Sequence, residues 1–302
     1  MTKILKKREN QKDTLKKKMW SKYVSKGIAL SMMQYNPKSK LFKAYKNTSY
    51  CAEVLLVENG KTRTTYCKNR WCNTCNRIRT AMLINGYYPQ IEKLFQPVFV
   101  TLTLPTVKGK ELKNRITEME KAWRNIYKKT KDAKFKRSYP NLKGVRKGEI
   151  TIRPNDKYHY HFHFIIDGWG QGEWLIGQWL KKFPEANHQG QDLRMIDEFG
   201  KNEIFKYSIK SAVKTDNKNA KRYDLVFNIL RGKRTFSTFG GLRKIEEEIN
   251  EDDLVAQNDT EKGNGVYKWV SVDWFNKETG EALVDIPMPE KVKRMVNYPT
   301  EK

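Results

Sequence analysis

The chain has only four cysteines and four histidines in 302 residues, and it is poor in acidic residues relative to basic ones. No stretch reaches the roughly 18–20 apolar residues that a bilayer-spanning helix needs, so a membrane protein is not expected. The basic first 18 residues lack the apolar block of a secretory signal. That points to a cytoplasmic, reducing compartment, where disulfides are disfavoured. No Gly-x-x-x-x-Gly-Lys phosphate-binding stretch is present. No internal repeat is visible.

With 34 Asp+Glu against 60 Lys+Arg, the formal charge is +26. Residues 241–302 hold 9 basic and 14 acidic residues, which leaves 51 and 20 for residues 1–240. A field of that sign attracts phosphate backbones and releases their counterions, so nucleic acid is the first partner to consider. An anionic membrane surface is the rival, but the N-terminus shows no basic amphipathic helix with a strong apolar face. Hydrophobic residues at 38% and aromatics at 12% suffice for a core.

Residues 1–18 read as a solvated basic tail, with Lys6, Lys7, Arg8 and Lys16 to Lys18 too crowded to pack; a DNA-contacting arm is the alternative. Residues 20–45 have an indistinct helical pattern, and residues 79–95 look helical. Residues 97–105 are β-branched and bounded by prolines, which predicts a strand. Leu112, Ile116, Met119, Trp123 and Ile126 predict a helix. Residues 145–153 and 158–166, on either side of Pro154-Asn155-Asp156, predict a β-hairpin. Helices are expected around residues 174–180, 204–213 and 219–230. Residues 266–275 alternate like a strand, and Lys277-Glu278-Thr279-Gly280 reads as a turn into residues 283–286, a terminal hairpin. This succession fits an α+β fold with an antiparallel sheet better than alternating βαβ units.

All four cysteines fall within 25 residues: Cys51, Cys67, Cys72 and Cys75. The two-residue gap between Cys72 and Cys75 lets both thiolates reach one tetrahedral ion. Cys51 would join them through a hairpin turning at Asn59-Gly60. A four-cysteine structural Zn²⁺ site follows, with Cys51 its least regular ligand; buried inert thiols are the alternative. Arg70, Arg77 and Arg79 around it suggest a DNA-facing knuckle.

Three of the four histidines lie in His159-Tyr160-His161-Phe162-His163. On a strand all three share one face, and neighbouring ones stand about 6–7 Å apart, close enough to share an ion. His159 and His163 are too far apart for all three to bind one metal. Glu149, on the preceding strand, is the best carboxylate to join them, and that donor set suits Mg²⁺ or Mn²⁺. An exposed strand glutamate is the alternative. Farther on, Glu203, Tyr207 and Lys210 would share one face of a helix. A tyrosine becomes a nucleophile when a cation stabilises its phenolate and a metal neutralises the phosphate it attacks. Without the histidines this would be an ordinary amphipathic helix.

Three blocks now occur in order: Thr101-Leu102-Thr103, His161-Phe162-His163, and Tyr207 with Lys210. The chain resembles the HUH endonuclease superfamily, specifically the single-tyrosine replication initiators of small rolling-circle plasmids. The resemblance spans roughly residues 67–241. It includes the run of Cys67, Cys72 and Cys75, and Lys233-Arg234 with Gly240-Gly241; its most specific feature is the Glu203-to-Tyr207 spacing. The family usually has proline where this chain has Tyr160 and Asn73. The resemblance implies an HUH fold with a ferredoxin/RRM-like palm and an N-terminal Cys-rich zinc knuckle. The expected layout is a basic extension (1–46), a four-cysteine zinc knuckle (47–80), the endonuclease domain (81–240), and an acidic C-terminal segment with a hairpin (241–302).

The resemblance also implies a mechanism. Tyr207 attacks the scissile phosphate of origin DNA, exposed as a single strand or cruciform, and leaves a 5′-phosphotyrosyl bond and a 3′-OH that primes synthesis. The metal on His161, His163 and Glu149, together with Lys210, stabilises the charge that develops. Glu203 activates water for the terminating cleavage. Host helicase and DNA polymerase are the implied partners, and a bacterial cytoplasm the implied location. A single-tyrosine transposase or a relaxase is a neighbouring reading, although Ser211 stands where the transposases have glutamine. A non-catalytic, zinc-containing nucleic-acid-binding protein is the reading of another class.

Overall fold

The structure is a computed structural model. It describes residues 2–59, 61–139, 141–197, 200, 204–205, 209–210, 216–245 and 263–296. In chain order the helices are α1 (Thr2–Tyr35), α2 (Phe42–Ser49), α3 (Asn73–Glu92), α4 (Gly109–Lys129), α5 (Ala133–Ser138), α6 (Trp169–Lys182), α7 (Asn217–Leu230) and α8 (Glu290–Lys293). The strands are β1 (Val54–Glu58), β2 (Lys61–Thr64), β3 (Pro97–Thr103), β4 (Val107–Lys108), β5 (Gly144–Arg153), β6 (Lys157–Asp167), β7 (Asp192–Met195), β8 (Ile209–Lys210), β9 (Phe236–Phe239), β10 (Gly265–Val270) and β11 (Asp273–Asn276). They fall into two compact units, residues 1–82, 212–224 and 248–302, and residues 83–211 and 225–247.

In the first unit, the backbone expected to be a basic tail is helical from Thr2 onward. Leu15, Met19, Lys22, Ser25, Ala29 and Met32 follow one another at steps of three and four, and all are buried. The pattern is hidden in the sequence because two of these positions are polar. Lys18 is buried as well; its ammonium donates to Thr62 Oγ1 at 3.0 Å. The Lys22 ammonium reaches Glu53 Oε2 at 2.7 Å and the Ser49 carbonyl at 3.0 Å. Long aliphatic stems pack while the charged tips find partners.

β1 and β2 form the expected hairpin, and β10 runs antiparallel along β1, giving the sheet order β11-β10-β1-β2. Residues 266–275 are therefore not one strand. Ser271 sits in the left-handed region at φ 55° and folds the chain back, so that Trp269 and Trp274 meet edge-to-face at 4.8 Å on the buried face. The expected turn at Lys277–Gly280 follows, its Gly280 N–H donating to the Asn276 carbonyl at 3.0 Å, and it brings Ala282 back beside Phe275.

The second unit is built on the succession β3-α4-β5-β6-α6-β7, a βαββαβ plan. Its strands lie in the order β7-β3-β6-β5, with every neighbour antiparallel. The short β8 lies parallel to β5 at its outer edge, and β9 pairs antiparallel with the start of β5. The period of two in β6 divides the sheet's faces. Phe162 and Phe164 meet Trp179 of α6 and Trp123 of α4 on the helical face. Tyr160, on the same face, sits over Gly148, where any Cβ would overlap its hydroxyl. That hydroxyl donates to Glu120 Oε1 at 2.9 Å, and Arg146 holds the other oxygen at 2.8 Å. Tyr160 is thus fully accommodated at its position.

The opposite face carries the histidines. Beside them Phe99, Val145, Ile165, Ile204 and Phe205 form a buried apolar cluster.

Candidate active site

The hairpin register decides which carboxylate meets the histidines. Glu149 stands directly opposite His161, and Lys147 opposite His163. On the other side of β6, Thr103 faces His161 and Thr101 faces His163. All of these positions point to the face left clear by α4 and α6.

Glu149 is fully buried and both histidines are buried beside it. Its Oε1 lies 3.6 Å from His161 Nε2, and its Oε2 lies 4.0 Å from His163 Nε2. Two ligands on opposite sides of one ion at ordinary bond lengths stand about 4.4 Å apart, so the separation of Oε1 from His161 Nε2 fits a shared cation. One donor atom from each of Glu149, His161 and His163 lies within 4.8 Å of the other two. Two imidazoles and a carboxylate form a donor set suited to divalent first-row metals. The buried Nδ1 of His161 has no hydrogen-bond partner among the described residues.

Burial by itself would push the Glu149 carboxyl up. The nearby His161 imidazole and the Lys147 ammonium outweigh it and hold the group well below the usual carboxylate range. It is an anion at neutral pH. Lys147 Nζ lies 2.8 Å from Oε2 and is itself buried. His163 Nδ1 lies 3.1 Å from Thr101 Oγ1, so its Nε2 is the nitrogen turned toward the carboxylate. His159 takes a different course. It hydrogen-bonds the Thr103 hydroxyl, and burial, followed by His161 and Arg153, pushes its imidazole down to about 4. Glu149, not His159, joins the His161–His163 pair.

The four cysteines converge in the first unit. Cys51 and Cys67 Sγ lie 3.5 and 3.6 Å from Cys75 Sγ, and all four thiols are free of disulfides. Zinc–sulfur bonds of about 2.3 Å put the edges of a tetrahedron near 3.8 Å, so the cluster has the size of a zinc site. Cys72 opens α3, its carbonyl accepting from the Asn76 N–H at 2.8 Å. The thiols therefore sit at the positive end of a helix, which favours thiolates. Ser25 of α1 accepts from the Asn73 and Thr74 N–H groups at 2.9 and 3.4 Å and completes that helix end.

Of the arginines proposed to face DNA, Arg70 is exposed. Arg79 is turned onto Asn76 Oδ1 at 2.8 Å and the Lys68 carbonyl at 3.1 Å, and Arg77 reaches Ser21 Oγ at 3.5 Å.

Glu203 and Tyr207 lie outside the described residues. Lys210 does not continue a helix, as the sequence pattern predicted. Ile209 and Lys210 form β8, paired with Ile150 and Thr151 immediately after Glu149. On the other side of Tyr207, Ile204 and Phe205 are buried with Phe99, whose ring lies 5.2 Å from His163.

The family model described as "Replication protein" matches residues 60–167. A "Protein rep" from Lentilactobacillus hilgardii is 26% identical over 279 residues, 78% of this chain and 87% of that relative. One from Staphylococcus aureus is 30% identical over 126 residues, 39% of this chain and 52% of its own length. A "Replication protein" from a Bacillus species is 26% identical over 219 residues, 60% of this chain and 90% of the relative. This chain is similar to the Rep replication proteins. No solved structure matches it.

The Rep family match contains Cys67, Cys72, Cys75, Glu149, His161 and His163, while Cys51, Glu203, Tyr207 and Lys210 fall beyond its ends. Among the described residues, no helix is long and apolar enough to cross a membrane. The site residues that sequence reasoning left without a role are Lys147 and the two threonines. Their signal was the period of two: Lys147 alternates with Glu149, and Thr101 with Thr103, on strands flanking the histidines.

Proposed function

We propose that the chain initiates plasmid rolling-circle replication by nicking and rejoining one DNA strand at the origin. The observation that carries this reading is the Glu149–His161–His163 cluster on a sheet face free of α4 and α6, with the chain on both sides of Tyr207 held beside it. Glu149, His161 and His163 would hold a Mg²⁺ or Mn²⁺ ion, which when bound neutralises charge on the scissile phosphate. Thr101 accepts the Nδ1 proton of His163 and keeps its Nε2 lone pair toward the ion.

The Tyr207 oxygen forms a new bond to phosphorus as the bond from phosphorus to the 3′-oxygen breaks. The phenolic proton is lost, and the departing oxygen gains one to become the 3′-OH. That hydroxyl primes a host polymerase, with unwinding supplied by a separate helicase. Glu203 takes a proton from water in the terminating cleavage, and Lys210 stabilises negative charge. Cys51, Cys67, Cys72 and Cys75 would hold Zn²⁺, which fixes the start of α3 near Arg70, Arg77 and Arg79 for DNA contact.

The test is incubation of the full chain with a single-stranded origin oligonucleotide and Mn²⁺. The wild type forms a covalent adduct stable to denaturant, and Tyr207→Phe forms none. Glu203→Ala still nicks but releases its product poorly. Normal adduct formation by the Phe variant overturns the tyrosine assignment.

A further inference from the structure

We propose that Lys147 is a positioning residue that acts through Glu149 to keep divalent-cation affinity at this site low. The inference rests on reading Glu149, His161 and His163 as a metal site. Lys147 lies two residues before Glu149 on β5, on the same face and in register with His163. Its side chain is 1% exposed, and its Nζ takes the Glu149 oxygen, Oε2, that faces His163. The other oxygen, Oε1, is the one turned to His161. A plain counter-ion for a buried carboxylate would not need to stand beside the gap between the donor atoms. Lys147 does.

The consequence is electrostatic. Imidazoles bind metals as neutral ligands, so among the described residues the donor set contributes one negative charge, and the ammonium cancels it. A positive charge roughly 5 Å from a divalent ion opposes its binding strongly in a partly desolvated site. Lys147 thus orients Glu149 so that Oε1 is the ligand atom, and at the same time makes the ion weakly held and exchangeable.

The experiment is a Mn²⁺ titration of the purified full chain, reading the free ion by electron paramagnetic resonance. Wild type is compared with Lys147→Gln, Lys147→Met, Lys147→Arg and the His161→Ala/His163→Ala double variant. Glutamine keeps a hydrogen-bond donor for Glu149 and guards against loss of folding in the methionine variant; thermal melts check both. The expected result is Mn²⁺ binding at least about tenfold tighter in Lys147→Gln and Lys147→Met. Lys147→Arg, which keeps the charge, stays within about twofold of wild type. A merely structural lysine gives the reverse, with affinity falling in step with melting temperature, and unchanged or weaker binding in the neutral variants overturns the proposal. If wild type binds no Mn²⁺ that the double histidine variant loses, the metal-site reading itself fails, which is a different result.

Discussion

Thr101 does two jobs with one side chain. Its place on β3 keeps it in the sheet, and its hydroxyl takes the only ring nitrogen of His163 not facing Glu149. Removing such a partner ordinarily costs a metal site about 10- to 100-fold in affinity. Thr101→Val, nearly the same shape, should therefore weaken Mn²⁺ binding by at least about tenfold with little change in melting temperature. Titration beside a thermal melt separates the two effects. A second residue-scale case is Glu53, held by Lys22 at 2.7 Å and Lys26 at 3.1 Å. Burial would push its carboxyl up, but the two ammoniums outweigh burial and hold it below the ordinary value. A carboxyl depressed in the folded state contributes stability above its unfolded pKa and loses it as pH falls. Glu53→Gln should cost about 3 kcal/mol at neutral pH, because Lys22 is left buried without its counter-charge. In urea titrations the gap to wild type should narrow as the pH drops below roughly 4.3.

The elements differ in how openly the sequence declares them. β5 and β6 were legible because His161 and His163, on one side, and Phe162 and Phe164, on the other, alternate with the sheet's own period. The turn at Pro154 allowed Glu149 to lie beside the histidine strand, and the register of the hairpin set it opposite His161. α1 was not legible, since its core face includes Lys22 and Ser25, whose burial depends on Glu53 and on the start of α3. Ser25 gives an element-scale prediction. Its hydroxyl takes the place of an N-cap side chain for α3, so Ser25→Ala should lower stability by about 1 kcal/mol. Hydrogen exchange at the Asn73 and Thr74 amides should rise. An unchanged exchange rate there would show that α1 contributes nothing to that helix end. β8 illustrates the opposite limit. Residues 204–213 have helical spacing, yet Ile209 and Lys210 pair with β5, and two residues of local preference are outweighed by an available strand edge.

At the scale of the molecule, the chemistry-bearing groups fall in separate units: the thiols in one, the carboxylate and imidazoles in the other. A zinc ion at the thiols would tie the residues after β2 and the start of α3 to a single point, closing loops that the chain must otherwise order at an entropic cost. Stripping the ion with a chelator should raise hydrogen exchange across residues 51–75 while β5 and β6 keep their protection. Equal loss in both would show that the cysteines are not a local staple.

The sequence by itself determined the side-chain periods, the turns, the clustering of thiols and the sign of the charge, because these depend on neighbours a few residues away. It could thus name His161, His163 and Glu149, and the four cysteines. Only the tertiary structure decided that Glu149 rather than His159 lies close to both His161 and His163, that Thr101 and Lys147 flank them, that β10 lies along β1, and that Lys18 and Lys22 of the first helix are buried with partners. Those outcomes depend on register and on desolvation by distant segments, where a few tenths of a nanometre determine which charged group gains a partner.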